Sequence, residues 1–330
     1  MQQHIRIGTR ESALARWQAE QVRDRLIFLK HTCELVLISS EGDQDLTTPL
    51  YEMGVQGIFT KTLDAALLND RIDIAVHSMK DVPTNLPAGI VQAAVLERGK
   101  YADLFVFHPA KQIRLAEHED MVFDEFKKTL TSNDEQALDL DQSQYLIATS
   151  SVRRRAQWLQ RYPRHRVTDM RGNMQTRLQK LSDSDWDGAI FAAAGLERIN
   201  LRPEHSIELS WMLPAPAQGA IMVVCREGDA ALREVCAKLD HEHTAICTSI
   251  EREFLRHLQG GCTTPISALA LYDKKDIYFR GNILSLDGKQ KVEIEKYIPV
   301  KEIEGFGKRM ATQLLDGGGK EIAEAIQHAK

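Results

Sequence analysis

Three short strand-like segments in this chain each end in polar residues and lead directly into an amphipathic stretch that carries arginine. The three junctions lie at residues 5–12, 145–151 and 167–173. A short apolar run bounded in this way is typical of a buried strand, and apolar positions three and four residues apart are typical of a helix. Strands that alternate with helices predict an α/β fold with a mostly parallel sheet.

The second junction begins a segment that is rich in arginine. From Arg153 to Arg177 the chain has eight arginines, no lysine and a single acid, Asp169. The whole protein is mildly acidic, with 42 Lys and Arg against 47 Asp and Glu. Ser150 or Ser151 is a suitable N-cap for the helix that starts here. Because cations in the first turn add to the positive end of a helix, the junction predicts an anion site. A solvated basic helix face is the alternative.

Changes in composition divide the chain into three predicted domains. Strand-like and helix-like segments alternate from residue 4 to about 107 and again from about 145 to 211. Between them, residues 116–144 have nine acids and two lysines, which indicates a surface insertion or loop. We predict two α/β domains with a mostly parallel sheet each, at 1–112 joined with 214–235 and at 113–213, and a smaller α+β domain with an antiparallel sheet at 236–330.

The composition argues against several classes of protein. No stretch reaches the roughly 18 apolar residues that cross a bilayer, and the chain starts in a strand pattern rather than a signal peptide. Its five cysteines form no C-x-x-C pair, so a reducing cytoplasm fits better than a disulfide framework or a structural zinc site. The basic cluster is confined and lacks interleaved aromatic residues, which argues against nucleic acid. A monomer is expected, since no heptad pattern stands out.

Two further segments carry candidate chemistry. Lys80 and Asp81 come just past the apolar run 72–77, at the strand end where open α/β sheets bind ligands. They could hold an anion and handle protons, although a surface ion pair is the alternative. Cys262 lies between Gly-Gly and Thr-Thr-Pro, after a helix that ends in arginine and histidine. A cationic setting lowers the pKa of a thiol, although an inert buried thiol is the alternative.

Taken together, these segments resemble the porphobilinogen deaminase (hydroxymethylbilane synthase) family from Ile5 to about Ile322. The motifs are specific in combination, and they include the junctions and turns described above. They are Ile7-Gly-Thr-Arg-Glu-Ser12, Phe59-Thr-Lys61, Val76-His-Ser-Met-Lys-Asp81, Ala148-Thr-Ser-Ser-Val-Arg-Arg154, Arg171-Gly-Asn173, Ala194-Gly-Leu-Glu-Arg198, Gln218-Gly-Ala220 and Glu253-Phe-Leu-Arg-His-Leu-Gln-Gly-Gly-Cys262.

The resemblance implies a three-domain transferase whose first two domains are similar to periplasmic binding proteins. In this family a dipyrromethane cofactor is attached through a thioether to the loop cysteine, here Cys262. Four porphobilinogen molecules are then joined head to tail, each with loss of ammonia, and linear hydroxymethylbilane is released. The implied partner is the small-molecule substrate, with no metal, nucleic acid or membrane.

By motif position the resemblance also implies roles for single residues. Asp81 would be the catalytic residue, where it helps to protonate the departing amine and stabilises the cationic methylenepyrrolenine by charge. The residues implied to hold the cofactor besides Cys262 are Lys80, Ser78, Ser151, Arg153 and Arg154. Those implied to hold the substrate and the growing chain are Arg10, Ser12, Gln18, Lys61, Arg171, Arg177, Arg198 and Gln218.

Two other functions compete with this one. A non-catalytic clamp for a polycarboxylate or phosphate accounts for the arginines. It does not account for Cys262 between its glycines and threonines, nor for Asp81 in a cationic site. A thiol hydrolase accounts for Cys262 but not for the repeated anion-binding junctions.

Overall fold

The computed structural model describes residues 2–39, 60–111, 144–261 and 264–328. Cys262 lies outside the described residues, and so does the predicted insertion at 116–144 apart from Gln144. In chain order, the elements of the first two sheets are β1 (His4–Thr9), α1 (Ala13–Phe28), β2 (Thr32–Leu37), α2 (Lys61–Leu68), β3 (Ile74–Ser78), β4 (Ile90–Val95), β5 (Asp103–Phe107), β6 (Leu146–Ala148), α3 (Val152–Arg161), β7 (Arg166–Thr168), α4 (Met174–Asp183), β8 (Gly188–Ala192), α5 (Ala193–Glu197), β9 (Ser206–Glu208) and β10 (Ile221–Arg226).

The first sheet has the strand order β2-β1-β3-β10-β4 and forms, with its helices, the first lobe. Its strands are apolar on both faces because helices cover both. One core cluster packs Val22 and Leu26 of α1 against the sheet, and another packs Leu63 and Leu67 of α2. The predicted α/β layering is therefore confirmed for this lobe.

The second sheet has the strand order β7-β6-β8-β5-β9 and forms the second lobe. Trp158 of α3 stacks on Phe105 of β5, with ring centroids 5.1 Å apart. On the other face Leu181 of α4 packs with Phe191 and Met170. The arginine-rich helix is thus anchored by its apolar side, which leaves its N-terminus at the end of β6.

Both sheets are mixed but mostly parallel, as predicted, because in each sheet four strands run in one direction and a single strand runs against them. In the first lobe β1 runs parallel to β2 and β3, but β10 is antiparallel to β3 and β4. In the second lobe β6 runs parallel to β7 and β8, but β5 is antiparallel to β8 and β9. The antiparallel strands are the two that adjoin the crossings between lobes, because a strand arriving from the other lobe does not follow a helix of its own sheet.

The position of β5 also shifts a predicted boundary. The sequence places residues 104–107 in the first domain, whereas β5 pairs in the second sheet. The chain therefore crosses between lobes before Asp103 rather than after residue 112. The return of the segment 215–225 to the first sheet is confirmed by β10. Apart from this shifted boundary, the predicted division into three domains remains a proposal.

The C-terminal domain is built on a three-stranded antiparallel sheet, as predicted. Phe279 contacts Phe254 and Phe306 in its core, where the three helices that carry Phe254, Phe306 and Ile322 pack against the sheet. No helix in the described ranges is both long and apolar enough to cross a membrane. The remaining elements are α6 (Ala230–Ala237), α7 (Glu242–His257), β11 (Ile266–Asp273), β12 (Asp276–Leu284), β13 (Lys291–Pro299), α8 (Phe306–Leu314) and α9 (Lys320–His328).

Candidate active site

A cavity of about 630 Å³ lies between the two lobes and borders the C-terminal domain. Its walls form where β1, β3, β6 and β7 end, the position at which open α/β sheets bind ligands. Gly260 and Gly261, which directly precede Cys262, also line it. The predicted site residues that line the cavity are Arg10, Ser12, Gln18, Ser78, Lys80, Asp81, Ser151, Arg153, Arg154, Arg171, Arg177 and Gln218.

Two serines cap the helices that open onto the cavity. The Ser151 hydroxyl accepts a hydrogen bond from the backbone N–H of Arg154 at 3.4 Å, so Ser151 is the N-cap of α3. Ser12 caps α1 in the same way through the N–H of Ala15 at 3.3 Å. The capped start of α3 places Arg153 and Arg154 in its first turn, as predicted, where both side chains are buried.

A buried carboxylate that the sequence analysis missed holds both of these arginines. Asp103 accepts from Nη2 of Arg153 at 2.6 Å and from Nη2 and Nε of Arg154 at 2.8 and 3.1 Å. Burial alone raises the pKa of Asp103, but the charges of Arg153 and Arg154 outweigh it and hold the pKa below its usual range. The sequence feature that could have revealed this residue is an acid directly before the apolar residues 104–107.

Gln218 connects this carboxylate to the first lobe. Its Nε2 donates to Asp103 Oδ1 at 2.8 Å and to Tyr101 O at 2.7 Å, and its Oε1 accepts from Lys80 Nζ at 3.2 Å. Burial lowers the pKa of Lys80 to about 8, the charge of Asp81 opposes this effect, and nearby arginines strengthen it. Gln218 therefore orients a lysine whose pKa burial lowers.

A second amide is paired with a hydroxyl beside Lys80. Gln18, buried on α1, donates from Nε2 to Ser78 Oγ at 2.8 Å, and Ser78 Oγ lies 3.1 Å from Gln18 Oε1. Ser78 ends β3 and both residues line the cavity. The pair places two polar groups without charge next to the cations.

Asp81 lies in a short 3₁₀ turn, Met79–Asp81, directly after β3. Its side chain is half-buried and lines the cavity, where Glu11 is the other acid in the described part of the chain. Among the described residues, no hydrogen bond engages its carboxylate. The structure therefore places the half-buried Asp81 carboxylate among many cations, in a position to interact with a ligand, whereas Glu11 is exposed.

The third junction contributes two further arginines. Asn173 caps α4 by accepting from Thr176 N–H at 2.9 Å, and Arg177 Nε donates to Gly172 O at 2.7 Å. Burial lowers the pKa of Arg177 to about 10, with further lowering by Arg154 and Arg171 and an opposing effect of Asp81. The arginines of the second lobe therefore lie close enough to influence one another, and Asp81 of the first lobe lies near them.

Three of the predicted site residues are not brought to the described cavity lining. Arg198 donates to Gly219 O at 2.6 Å, and its guanidinium lies 5.3 Å from the centre of the Trp17 ring, so it bridges the lobes. Lys61 is exposed at the start of α2. Cys262 lies outside the described residues.

Comparison with known protein families shows which family this chain matches. Residues 5–234 match the family model described as "Porphobilinogen deaminase, dipyromethane cofactor binding domain", and residues 245–316 match "Porphobilinogen deaminase, C-terminal domain". The chain belongs to the porphobilinogen deaminase family. It is also 39% identical over 326 residues to the porphobilinogen deaminase of Synechococcus sp. (strain RCC307), covering 98% of this chain and 96% of that protein. As a porphobilinogen deaminase, it is a transferase of porphyrin biosynthesis with a dipyrromethane cofactor.

Solved structures to which the chain is similar include two amino-acid binding proteins. The methionine binding protein MetQ is 12% identical with a TM-score of 0.41, covering 72% of this chain and 89% of that one. The probable amino-acid transporter binding protein YtmK of Bacillus subtilis is 11% identical with a TM-score of 0.39, covering 72% and 90%. These TM-scores are too low to carry a functional comparison.

The cavity lining of this porphobilinogen deaminase fits its cofactor. Each pyrrole ring carries an acetate and a propionate, and guanidinium groups bind carboxylates through paired hydrogen bonds. The described lining offers one lysine and five arginines against two acids. In addition, Nε of Arg153 is buried without a hydrogen-bond partner among the described residues. A buried, unsatisfied donor on a cation is suited to a carboxylate ligand.

Proposed function

We propose that the chain is a hydroxymethylbilane synthase in which Asp81 is the catalytic carboxylate. In each condensation the C–N bond of the aminomethyl group breaks, ammonia leaves, a C–C bond forms to the next ring, and a ring proton is lost. Positive charge develops on the substrate pyrrole as the amine departs. The observation that carries the proposal is the single half-buried Asp81 carboxylate in a lining rich in cations, because charge in such a site is stabilised by a fixed counter-charge.

We further propose that Cys262 attaches the cofactor and that Lys80, Ser78, Ser151, Arg153 and Arg154 hold its carboxylates. When bound, the dipyrromethane supplies the pyrrole carbon onto which porphobilinogen is condensed. Gly260 and Gly261 on the N-terminal side of Cys262, and Thr264 on its C-terminal side, line the cavity, which supports this attachment.

The incoming substrate requires cations of its own in the cavity. Arg10, Arg171 and Arg177 line the cavity together with Ser12, Gln18 and Gln218. We propose that these residues hold the acetate and propionate of porphobilinogen and of the growing chain. For Arg198 and Lys61, a role in substrate binding is proposed from motif position alone. The described contacts of Arg198 join the lobes.

The experiment combines intact mass with turnover in two variants. Asp81→Asn is expected to keep a covalent adduct equal to two condensed pyrroles and to lose about 10²- to 10⁴-fold in kcat. Glu11→Gln, at the other acid of the described lining, is the matched control and is expected to keep both. Cys262→Ser is expected to keep the unmodified mass. Near-normal turnover of Asp81→Asn contradicts the proposed role, and an adduct on Cys262→Ser contradicts the attachment.

A monomer in a reducing cytoplasmic compartment is part of the same proposal. Cys33, Cys225, Cys236 and Cys247 are free thiols, which supports a reducing environment. Light scattering on the purified protein at several concentrations tests the oligomeric state. A mass twice that of one chain contradicts the monomer.

A further inference from the structure

Helix α7 contributes a buried guanidinium to the turn that carries Asp81. Arg252 donates hydrogen bonds to three backbone carbonyls, at 3.3 Å to Met79 O, 2.9 Å to Val82 O and 2.6 Å to Pro83 O. These carbonyls lie before and after Asp81 in the chain. One side chain of the C-terminal domain therefore spans the whole turn.

The charge of Arg252 has no carboxylate partner in the described part of the chain. Burial lowers the pKa of Arg252 to about 10, and the charge of nearby Arg256 lowers it further. Buried arginines usually pair with an acid because the desolvation of a charge is unfavourable. Here backbone carbonyl dipoles alone stabilise the cation. The desolvation of this cation is unfavourable, so the arrangement is expected where the exact geometry of the turn matters.

The geometry of this turn decides where Asp81 lies. The carbonyls face α7, while the side chains of Lys80 and Asp81 line the cavity. Met79 is buried and its N–H donates to Ala220 O at 3.0 Å. Since no hydrogen bond holds the Asp81 carboxylate among the described residues, its position depends on the backbone beneath it.

The helix that provides Arg252 is itself fixed to the first lobe. The adjacent Glu251 is fully buried and accepts from Arg98 Nη1 at 2.6 Å, from Ala217 N–H at 2.6 Å and from Ala270 N–H at 2.7 Å. These bonds set the position of α7 along its axis. They therefore fix the point from which the guanidinium reaches the turn.

We propose that Arg252 is a positioning residue for Asp81, an inference that rests on the catalytic role proposed above for Asp81. A displacement of about 1 Å at a reacting group costs about 10²-fold in rate. Removal of the three hydrogen bonds beneath the turn therefore slows the chemical step, while the cations that bind substrate carboxylates stay in place. The same helix ends at His257, shortly before Cys262.

The test compares Arg252→Ala, Arg252→Lys and Arg256→Ala as holoenzymes. Arg256 is the matched control, an exposed arginine on the same helix with one 3.3 Å bond to Thr84 O. Intact mass establishes that each variant carries its cofactor before kcat and KM for porphobilinogen are measured. We expect Arg252→Ala to lose about 10²-fold in kcat with KM changed less than about twofold. Arg252→Lys recovers part of this loss because it keeps the charge without the planar fork, and Arg256→Ala keeps wild-type values.

Amide hydrogen exchange provides a readout that does not depend on turnover. Peptides covering residues 79–84 are expected to exchange faster in Arg252→Ala than in Arg256→Ala. An unchanged kcat, or unchanged exchange at 79–84, overturns the proposal. If Arg252→Ala does not fold, Arg252→Lys is judged by the same two measurements. Normal turnover of Asp81→Asn would contradict the catalytic role of Asp81. Hydrogen exchange at 79–84 tests separately whether Arg252 holds the turn, so the two failures can be distinguished.

Discussion

Asp103 and Arg153 meet through a 2.6 Å contact between Oδ2 and Nη2, and both side chains are buried. The other carboxylate oxygen binds Arg154 and Gln218. A single acid from β5 therefore orients two arginines of α3 and, through Gln218, the ammonium of Lys80. The cations of the cavity are held in place by the protein itself, so little ordering is left for a ligand to impose.

Replacement of this acid tests how much the arginine pair depends on it. Asp103→Asn leaves two buried guanidinium groups without a counter-charge, and we expect the free energy of unfolding to fall by about 3–5 kcal/mol. Urea unfolding of the cofactor-free protein measures the loss, and intact mass measures cofactor loading, which is expected to fall as well. Asp24→Asn, in an exposed pair with Arg23, is the control and is expected to change stability by less than about 1 kcal/mol. Equal effects of the two variants contradict a central role of Asp103.

The lowered pKa of Lys80 leads to a dependence of stability on pH. Burial lowers this pKa to about 8 in the folded protein, from the ordinary lysine value of 10.5 in the unfolded chain. Between these two values the unfolded chain binds more protons, so this lysine makes the free energy of unfolding rise with pH from about 8 upward. Below about pH 8 both states are protonated and its contribution is constant.

Variants isolate the contribution of Lys80 from that of other groups. Urea unfolding at several values between pH 7 and 10 is compared for wild type, Lys80→Met and Lys61→Met, where Lys61 is the exposed control. We expect Lys80→Met to show a smaller rise in stability above about pH 8 than the other two proteins. Parallel curves for all three proteins are incompatible with a lowered pKa of Lys80.

Arg198 is expected to stabilise the contact between the lobes. It donates to Gly219 O at 2.6 Å and stacks over Trp17, and a hydrogen bond from a charged group contributes about 1.5–3 kcal/mol. Arg198→Gln is therefore expected to lower the free energy of unfolding by about that amount, measured by urea unfolding. Arg202→Gln, which removes an exposed pair with Glu197, is the control. Unchanged stability with a raised KM for porphobilinogen supports the substrate role implied by motif position instead.

Gly219 is required where the two crossing segments between the lobes touch. Its φ is +86°, and an added Cβ would lie 2.7 Å from Gly99 O and 2.8 Å from Lys100 O. Gly219→Ala combines backbone strain with a clash against backbone atoms, so we expect a loss of at least about 1–3 kcal/mol in unfolding free energy. Gly228→Ala, where no atom lies within 4 Å of the added Cβ, is the control. Equal melting temperatures of the two variants contradict this expectation.

Local patterns were enough to predict many parts of the site. Ser151 caps the arginine helix as predicted because capping depends on residues three positions apart. The position of Asp81 at the end of a buried strand follows from an apolar run and the residues after it. In a similar way, the strand-to-helix junctions predict an α/β fold, since periodicity is a property of short segments.

These local patterns did not predict the contacts between segments that are distant in sequence. Asp103 and Arg154 are 51 residues apart in sequence, and nothing local indicates that the first residue of an apolar strand faces the start of a helix so much later in the chain. The same holds for Arg252 beneath the catalytic turn. The antiparallel entry of β5 and β10, which makes both sheets mixed, depends on how the chain passes between lobes.

The sequence by itself therefore determined which residue types end each strand, which helices they cap and how strongly cationic the cavity is. Only the tertiary structure decided which acid balances those cations, which arginine joins the lobes and what supports the turn of Asp81. The physical reason is range: caps and periodicity act over one helical turn, whereas the pairing of buried charges depends on which strands and helices meet in space.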